Sequence, residues 1–301
     1  MDRADRLEGA LESVFDQTYG EIEAVVVDGG STDRTPDVVA EFQDAYPGRV
    51  TYVRNEEPRG PSAARNSGVK ATEARYVAFL DDDDRWVEEK TRKQIESLES
   101  AESDTGVIYG GFRSVTEDSE YVHTKIPETD SDLYITLLVE DVVGPPSTVM
   151  VRRGAFIQVG GFDEKIGQRE DWELYIRLAE QFEFVCLDEV VTIRVVHDNE
   201  ISKNVEEQRE CSERILTRYA DELREHGLEP DSWATHHREM GIMYCLEGDV
   251  KKGRKQFVQS LQKQFQPLSA VLLLITFLGT RGFTTTLKGK RMLNRHLNNN
   301  S

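Results

Sequence analysis

Four consecutive aspartates, Asp81-Asp82-Asp83-Asp84, follow the apolar run Tyr76-Val77-Ala78-Phe79-Leu80 and precede Trp86. Four carboxylates at the end of a buried strand repel one another strongly. A divalent cation relieves that repulsion. Mg2+ and Mn2+ prefer oxygen ligands and often share one or two carboxylates with substrate phosphates. The plainer alternative is a solvated charge run. Two more polar clusters stand near the ends of predicted strands. Asp28-Gly29-Gly30-Ser31-Thr32-Asp33 follows the strand 22–27, and Gly60-Pro61-Ser62-Ala63-Ala64-Arg65-Asn66 comes shortly after the strand 50–53. Taken alone, the first is what a strand-to-helix turn with its helix cap needs. Ligands of open α/β sheets bind beyond the carboxyl ends of the strands, so three such clusters together predict a site.

The elements that must position these residues read as an alternation. Leu7, Ala10, Leu11, Val14 and Phe15 recur at helical spacing. Strands are predicted at 22–27, 50–53 and 76–80, and helices at 33–46, 61–72 and 87–100. This βαβα order implies an α/β fold with a mixed, mainly parallel sheet and helices on both faces. Beyond Thr105 the pattern loosens. Strands are expected at 107–115, 147–152, 183–187 and 190–196, with a helix at 169–180. From Val205 only helices are expected, at 205–225, 231–245 and 250–265, followed by an apolar segment. A boundary near Asn204 divides residues 1–204 from a helical region, 205–301. Met240-Gly241, Gly248-Asp249 and Gln256-Phe257 resemble one tetratricopeptide-like hairpin.

Composition narrows the function classes. Of 301 residues 38% are hydrophobic, enough for a packed core. The net charge of −19 argues against general nucleic-acid binding. It suits solubility in high salt, as does the arginine excess of 25 over 12 lysines, and it predicts a halophilic source. The charge is uneven. Residues 251–301 hold ten Lys/Arg and no Asp or Glu, which leaves the first 250 residues at −29. A basic tail on an acidic body predicts an anionic contact. Cys186, Cys211 and Cys245 are too few and too scattered for a disulfide framework or a zinc knuckle, and point to a reducing compartment. No signal-peptide pattern opens the chain. The apolar run 268–279 reads as too short to span a bilayer unaided.

The motifs, taken in order, resemble family 2 glycosyltransferases. They are Asp-Gly-Gly-Ser-Thr-Asp-Arg-Thr at 28–35, Ala-Arg-Asn-Ser-Gly at 64–68 and Phe-Leu-Asp-Asp-Asp-Asp-Arg-Trp at 79–86. Gly-Gly-Phe-Asp-Glu at 160–164 and Arg-Glu-Asp-Trp-Glu-Leu at 169–174 complete the set. The resemblance covers roughly residues 3–200 and implies the A-type glycosyltransferase fold. It implies nucleotide-sugar binding by Asp28, Ser31, Asp33, Arg65, Asn66, Asp81 and Asp82. Asp83 would be the main ligand of Mg2+ or Mn2+, with His197 near the metal or the diphosphate. A hydrogen-bonded strand-end histidine is an equal reading of His197. Asp171 would be the general base, on a helix start that also favours acids electrostatically. A base opposite the leaving diphosphate implies inversion at the anomeric carbon.

Two departures from the family matter. A second acid often stands at the position of Gly29, which weakens uracil specificity, though a UDP-sugar remains the favoured donor. The family's first strand, ending in a Pro-Thr/Ser-Tyr-Asn-like turn, has no counterpart before Leu7. The expectation is that the natural protein begins upstream, and that without this strand its neighbours keep unpaired backbone groups. The flanking of residues 268–279 by basic residues predicts a peripheral contact with anionic lipid on the cytoplasmic membrane face, against the plainer reading of a packed helical hairpin. The acceptor expected is a glycan on a dolichol-type lipid carrier, in surface-glycoprotein (S-layer) N-glycosylation. The alternatives are an inactive nucleotide-sugar-binding scaffold and a polysaccharide-synthesis transferase. A nucleotidyltransferase would need a glycine-rich, basic triphosphate loop near the start, which is missing.

Overall fold

The structure, a computed structural model, describes residues 2–128, 132–196 and 204–286. The chain forms two compact units. One joins Met1–Leu133 to Val142–Val196, and the other joins Tyr134–Asp141 to His197–Ser301. The short segment 134–141 therefore belongs with the C-terminal helices, an exchange that the linear boundary at Asn204 does not contain.

In the first unit, helix α1 (Ala4–Phe15) turns Ala4, Leu11 and Val14 inward against Ala24 and Val38. Its first N–H, on Ala4, is taken by the Asp33 carboxylate at 2.9 Å, which supplies an orphan donor of the first turn with a partner. Strand β1 (Ala24–Asp28) pairs in parallel with β2 (Val50–Arg54), from Ala24 opposite Val50 to Asp28 opposite Arg54. The β-branched valines of β1 suit a pleated, half-buried surface. Helix α2 (Thr35–Ala45) connects the two strands, with a proline in its first turn where no N–H is needed. Its end is pinned by Tyr46, which stacks on Phe15 with ring centroids 3.9 Å apart.

Helix α3 (Gly60–Lys70) leads to β3 (Tyr76–Ala78), and β4 (Asp84–Trp86) precedes α4 (Lys90–Ser100). Then come β5 (Thr105–Thr116), β6 (Tyr121–Lys125), α5 (Leu133–Leu137), β7 (Met150–Arg152), α6 (Arg153–Gln158), α7 (Glu170–Ala179) and β8 (Glu183–Val196). The larger sheet runs β3-β7-β5-β8-β4, with β6 on β5. Strands β5 and β8 are parallel, while β3–β7, β5–β7, β5–β6 and β4–β8 are antiparallel. The mixed sheet is as the sequence predicts, but its parallel share is smaller. The antiparallel β7 falls within the strand expected at 147–152, whereas β4 and β6, three and five residues long, are too short to show a periodicity. The strands expected at 183–187 and 190–196 are one continuous β8, shifted in register where Gly110 and Gly111 of β5 oppose it. Helix α4 seals the sheet by packing Ile95 and Leu98 on Ile108 and Met150. Among the described residues, β1 pairs only with β2 and β3 only with β7, so no ladder joins the small sheet to the large one.

The second unit is helical. It contains α8 (Val205–Arg218), α9 (Ala220–Glu225), α10 (Glu229–Leu246), α11 (Val250–Lys263) and α12 (Pro267–Ile275). The single helix expected at 205–225 breaks at Tyr219. Asn204 and Asp249 cap α8 and α11 through their side-chain oxygens. Helices α10 and α11 form the expected hairpin, with Gly248 in the left-handed region at φ +94°. Gly241 faces the ring of Phe257 so closely that a Cβ would lie 2.6 Å from it, so only glycine permits this approach. Beyond α12 a short 3-10 turn, Thr276–Leu278, ends at Gly279, whose φ of +73° and ψ of −179° break the helix before helical backbone resumes to Thr286. The whole of Pro267–Thr286 is long and apolar enough, by length and composition, to cross a bilayer.

Candidate active site

The turn after β1 is closed on itself. Asp28 is 5% exposed. Its Oδ1 accepts from the Ser31 amide at 2.9 Å and the Ser31 hydroxyl at 2.6 Å, and its Oδ2 accepts from the Tyr52 hydroxyl at 2.7 Å. Burial alone raises its pKa, but these donors outweigh burial and hold the carboxyl below its usual range. Tyr52 moves the other way and is pushed up to about 12, by burial and by donating to Asp28. Gly30, at φ +93°, carries the chain through the turn where a Cβ would meet the Glu56 carbonyl at 3.2 Å. Asp33 links two helix starts, accepting from Ala4 with one oxygen and from the Thr35 amide and hydroxyl with the other. Asp28, Ser31 and Asp33, predicted together, are found together. Gly29 has room for a side chain, since an added Cβ would meet only ordinary contacts with Pro58.

The aspartate run divides. Asp84 turns into β4, is 2% exposed, and closes a turn by donating its N–H to the Asp81 carbonyl at 3.0 Å. Burial, with Asp81 and Asp83 nearby, pushes its carboxyl up to about 7. Asp81, Asp82 and Asp83 remain on the turn. Ser147 anchors both ends: its hydroxyl accepts from the Asp81 amide at 3.2 Å, and its carbonyl accepts from the Trp86 indole at 2.9 Å. Sequence reasoning missed Ser147 as a site residue. The only local signal is the Pro145-Pro146 pair, which favours the 3-10 turn Pro146–Thr148.

Arg65 joins distant parts of the chain. Its Nη2 lies 2.7 Å from Asp81 and its Nη1 lies 2.7 Å from Glu170, the first residue of α7. The guanidinium sits 5.3 Å from the centre of the Phe162 ring. Burial alone would lower its pKa, yet the two carboxylates outweigh burial and raise it. Asn66, one residue on, uses its amide to clamp Phe162, donating to its carbonyl and accepting from its N–H at 2.9 Å each. This fixes the loop 160–164 under Arg65. Glu170 and Asp171 are both raised in pKa, mainly by burial. The Asp171 carboxylate accepts its neighbour's N–H, from Trp172, at 2.8 Å. Arg169 before them holds φ +64°, a left-handed value rare for arginine, and such strain concentrates at functional sites. Glu170 as the partner of Arg65 was also not foreseen.

A cation already bridges the remaining aspartates. The Arg3 guanidinium nitrogen Nη1 stands 2.8 Å from Asp82 and 3.5 Å from Asp83, and Arg6 approaches Asp83 at 3.8 Å. Asp2, one peptide from Arg3, donates its N–H to the Ser31 hydroxyl at 3.1 Å. Residues 2 and 3 thus touch both clusters, which places them at one edge of the unit. Two carboxylates that converge on one cationic nitrogen fit a divalent ion sharing them with a diphosphate. Among the described residues no three His, Cys, Asp or Glu side chains form a closed metal cage. His197 lies outside the described residues.

The glycosyl transferase family 2 model matches residues 1–160, more than half of the chain. The chain belongs to glycosyl transferase family 2. This family 2 glycosyltransferase is 29% identical over 201 residues to TuaG of Bacillus subtilis, a glycosyltransferase named for teichuronic acid biosynthesis. The match covers 66% of this chain and 77% of TuaG. It is 26% identical over 249 residues to WfaP of Escherichia coli, named UDP-Glc:alpha-D-GlcNAc-diphosphoundecaprenol beta-1,3-glucosyltransferase, covering 82% of this chain and 90% of WfaP. Its fold is similar to that of the mannosyltransferase PcManGT from Pyrobaculum calidifontis, solved in complex with GDP-Man and Mn2+. The TM-score is 0.59 at 18% identity, covering 99% of this chain and 84% of PcManGT. The A-type glycosyltransferase fold is thereby shown.

Proposed function

We propose that this glycosyltransferase moves a sugar, with inversion, from a nucleotide-diphosphate sugar to a hydroxyl of a polyprenyl-diphosphate-linked saccharide. The observation that carries the reading is Arg65, which ties the aspartate turn at Asp81 to the acidic start of α7. It holds the diphosphate-side and acceptor-side carboxylates of the reaction in one rigid frame.

In this reading Asp171 takes the proton of the acceptor hydroxyl as that oxygen bonds to the anomeric carbon. The bond from the anomeric carbon to the donor phosphate breaks, and the diphosphate oxygen keeps the electron pair. A single displacement inverts the centre. Burial raises the pKa of Asp171, which makes it a stronger base than a free carboxylate. Asp82 and Asp83, now paired with Arg3 and Arg6, would hold Mg2+ or Mn2+, which would neutralise charge on the diphosphate. A UDP-sugar is the favoured donor, in keeping with the name of WfaP, and the same name supports a lipid-diphosphate acceptor. Growth of a free polysaccharide is the second reading, supported by the name of TuaG.

The test is transfer from UDP-glucose and other nucleotide sugars, with Mn2+, to undecaprenyl-diphosphate-linked N-acetylglucosamine and to soluble saccharides. The product anomer is read by NMR. An inverted product on the lipid-linked acceptor supports the reading. Transfer to soluble saccharides alone selects the second one. A retained anomer overturns the mechanism.

A further inference from the structure

The apolar helical segment 267–278 has two unlike faces. At 100° per residue, the buried Ser269, Leu272 and Thr276 fall within an arc of about 60°, before the chain breaks at Gly279. Leu272 packs with Cys245 and Phe257 of the α10–α11 hairpin. On the opposite side Val271, Leu274, Phe277 and Leu278 are 51%, 68%, 68% and 66% exposed, with Leu268 and Phe265 at the near end. Six of the nine exposed large apolar residues among those described lie between 265 and 278. A contiguous patch of this kind marks a contact surface.

Charge says which surface. Arg254 lies 4.4 Å from the centre of the Phe277 ring, and Arg281 is exposed just beyond Gly279. From Lys251 onward the sequence holds ten basic and no acidic residues. Apolar side chains fringed by cations match an anionic bilayer surface, where the side chains enter the acyl boundary and the cations meet headgroups.

The buried face decides the mode of contact. Ser269 shares a hydrogen bond with Ser260 at 2.8 Å, and Arg254 donates to the Thr276 hydroxyl and carbonyl at 2.9 and 2.8 Å. A helix crossing the bilayer would give up these bonds and strand the polar groups in hydrocarbon. We propose that the helical segment 267–278 lies in the plane of an anionic membrane, inserting Leu268, Val271, Leu274, Phe277 and Leu278 while its other face stays docked on α10–α11.

The full chain is mixed with vesicles of phosphatidylcholine, with and without phosphatidylglycerol, and floated on a density gradient without any nucleotide sugar. Binding is expected only with the anionic lipid and is expected to weaken in high salt. The double variant L274E/F277E changes two exposed residues and is expected to lower partitioning at least about tenfold. L274S/F277S serves as a second variant if the glutamates disturb folding, with helicity checked by circular dichroism. Alkaline carbonate is expected to release the wild-type chain from membranes. Equal flotation of either folded variant overturns the proposal, as does carbonate resistance, which would mean a spanning helix. So does a wild-type dimer that these substitutions dissociate, with no vesicle binding, because a second copy would then cover the patch. D171N is expected to float like wild type, so failure of the transfer reading and failure of this one are separate results.

Discussion

Two acidic clusters stand at strand ends in the same unit, and they solve opposite problems. In the turn 28–33 the carboxylates are matched by neutral donors, hydroxyls and backbone N–H groups. Asp28 takes Ser31 and Tyr52, and Asp33 takes Thr35 and Ala4. At 81–83 and at Glu170 the carboxylates pair with arginines brought from elsewhere, Arg65, Arg3 and Arg6. Residue type and position along a strand do not separate these cases. What separates them is whether neutral donors use up the hydrogen-bonding capacity. A self-satisfied cluster shapes the backbone, whereas a cluster neutralised by a removable cation can exchange that cation for a ligand.

The strongest way to break the comparison is to remove one carboxylate from each cluster. Asp171→Asn is expected to lower kcat by about 10^3-fold or more with little change in donor affinity. A loss under tenfold would remove Asp171 from the chemistry. The same substitution separates activity from stability. The Asp171 pKa is raised in the folded state, so protonation favours folding. That contribution is present below its ordinary value of 3.8 and is lost as pH rises through the raised value. Activity, which needs the ionised base, rises over the same window. Asp171→Asn is therefore expected to melt higher than wild type at neutral pH, and the acid limb of the wild-type rate profile to lie above the ordinary carboxylate range.

Next in size, Arg65→Met leaves Asp81 and Glu170 without their shared cation. Breaking a buried pair from one side costs about 3–5 kcal/mol, measured by denaturant titration. Stability equal to wild type would show that Arg65 is not the tie between the two segments. Asp28→Asn is expected to cost about 1–3 kcal/mol, the penalty for under-satisfied buried partners. Its kcat should stay within about threefold of wild type. A large kcat loss without a change in melting would make the turn a reacting site and erase the contrast. The smallest effect is at Arg3. Its exposed ion pairs are worth little, so Arg3→Gln is expected to tighten Mn2+ binding only about two- to fivefold, read by isothermal titration.

Much of this was legible in the chain. The helical spacing of Leu7, Leu11 and Val14 predicted α1, and the valines before Asp28 predicted β1. The motif order carried the family. Of the antiparallel strands, β3 and β7 lie within the strands expected at 76–80 and 147–152, but β4 and β6 were not legible. Asp84–Trp86 looks like the end of an acidic turn, yet it forms β4 because Thr192–Arg194 of β8 offers it a ladder. Likewise 134–141 has no local mark that assigns it to the C-terminal unit. It belongs there because Ser232 and Arg238 reach Leu138 and Glu140.

The sequence by itself determined which residues could do chemistry, because carboxylates, glycines and an arginine at those spacings admit few other uses. It also determined the basic, apolar tail, since composition needs no geometry. Only the tertiary structure decided which aspartates of the run stay on the turn, which carboxylates Arg65 unites, and which side of the last helix is left bare. Each depends on partners 16 to 105 residues distant in the chain, or on neighbouring helices. Hydrogen bonds and burial act through space, so a pattern along the chain can nominate these groups but cannot pair them.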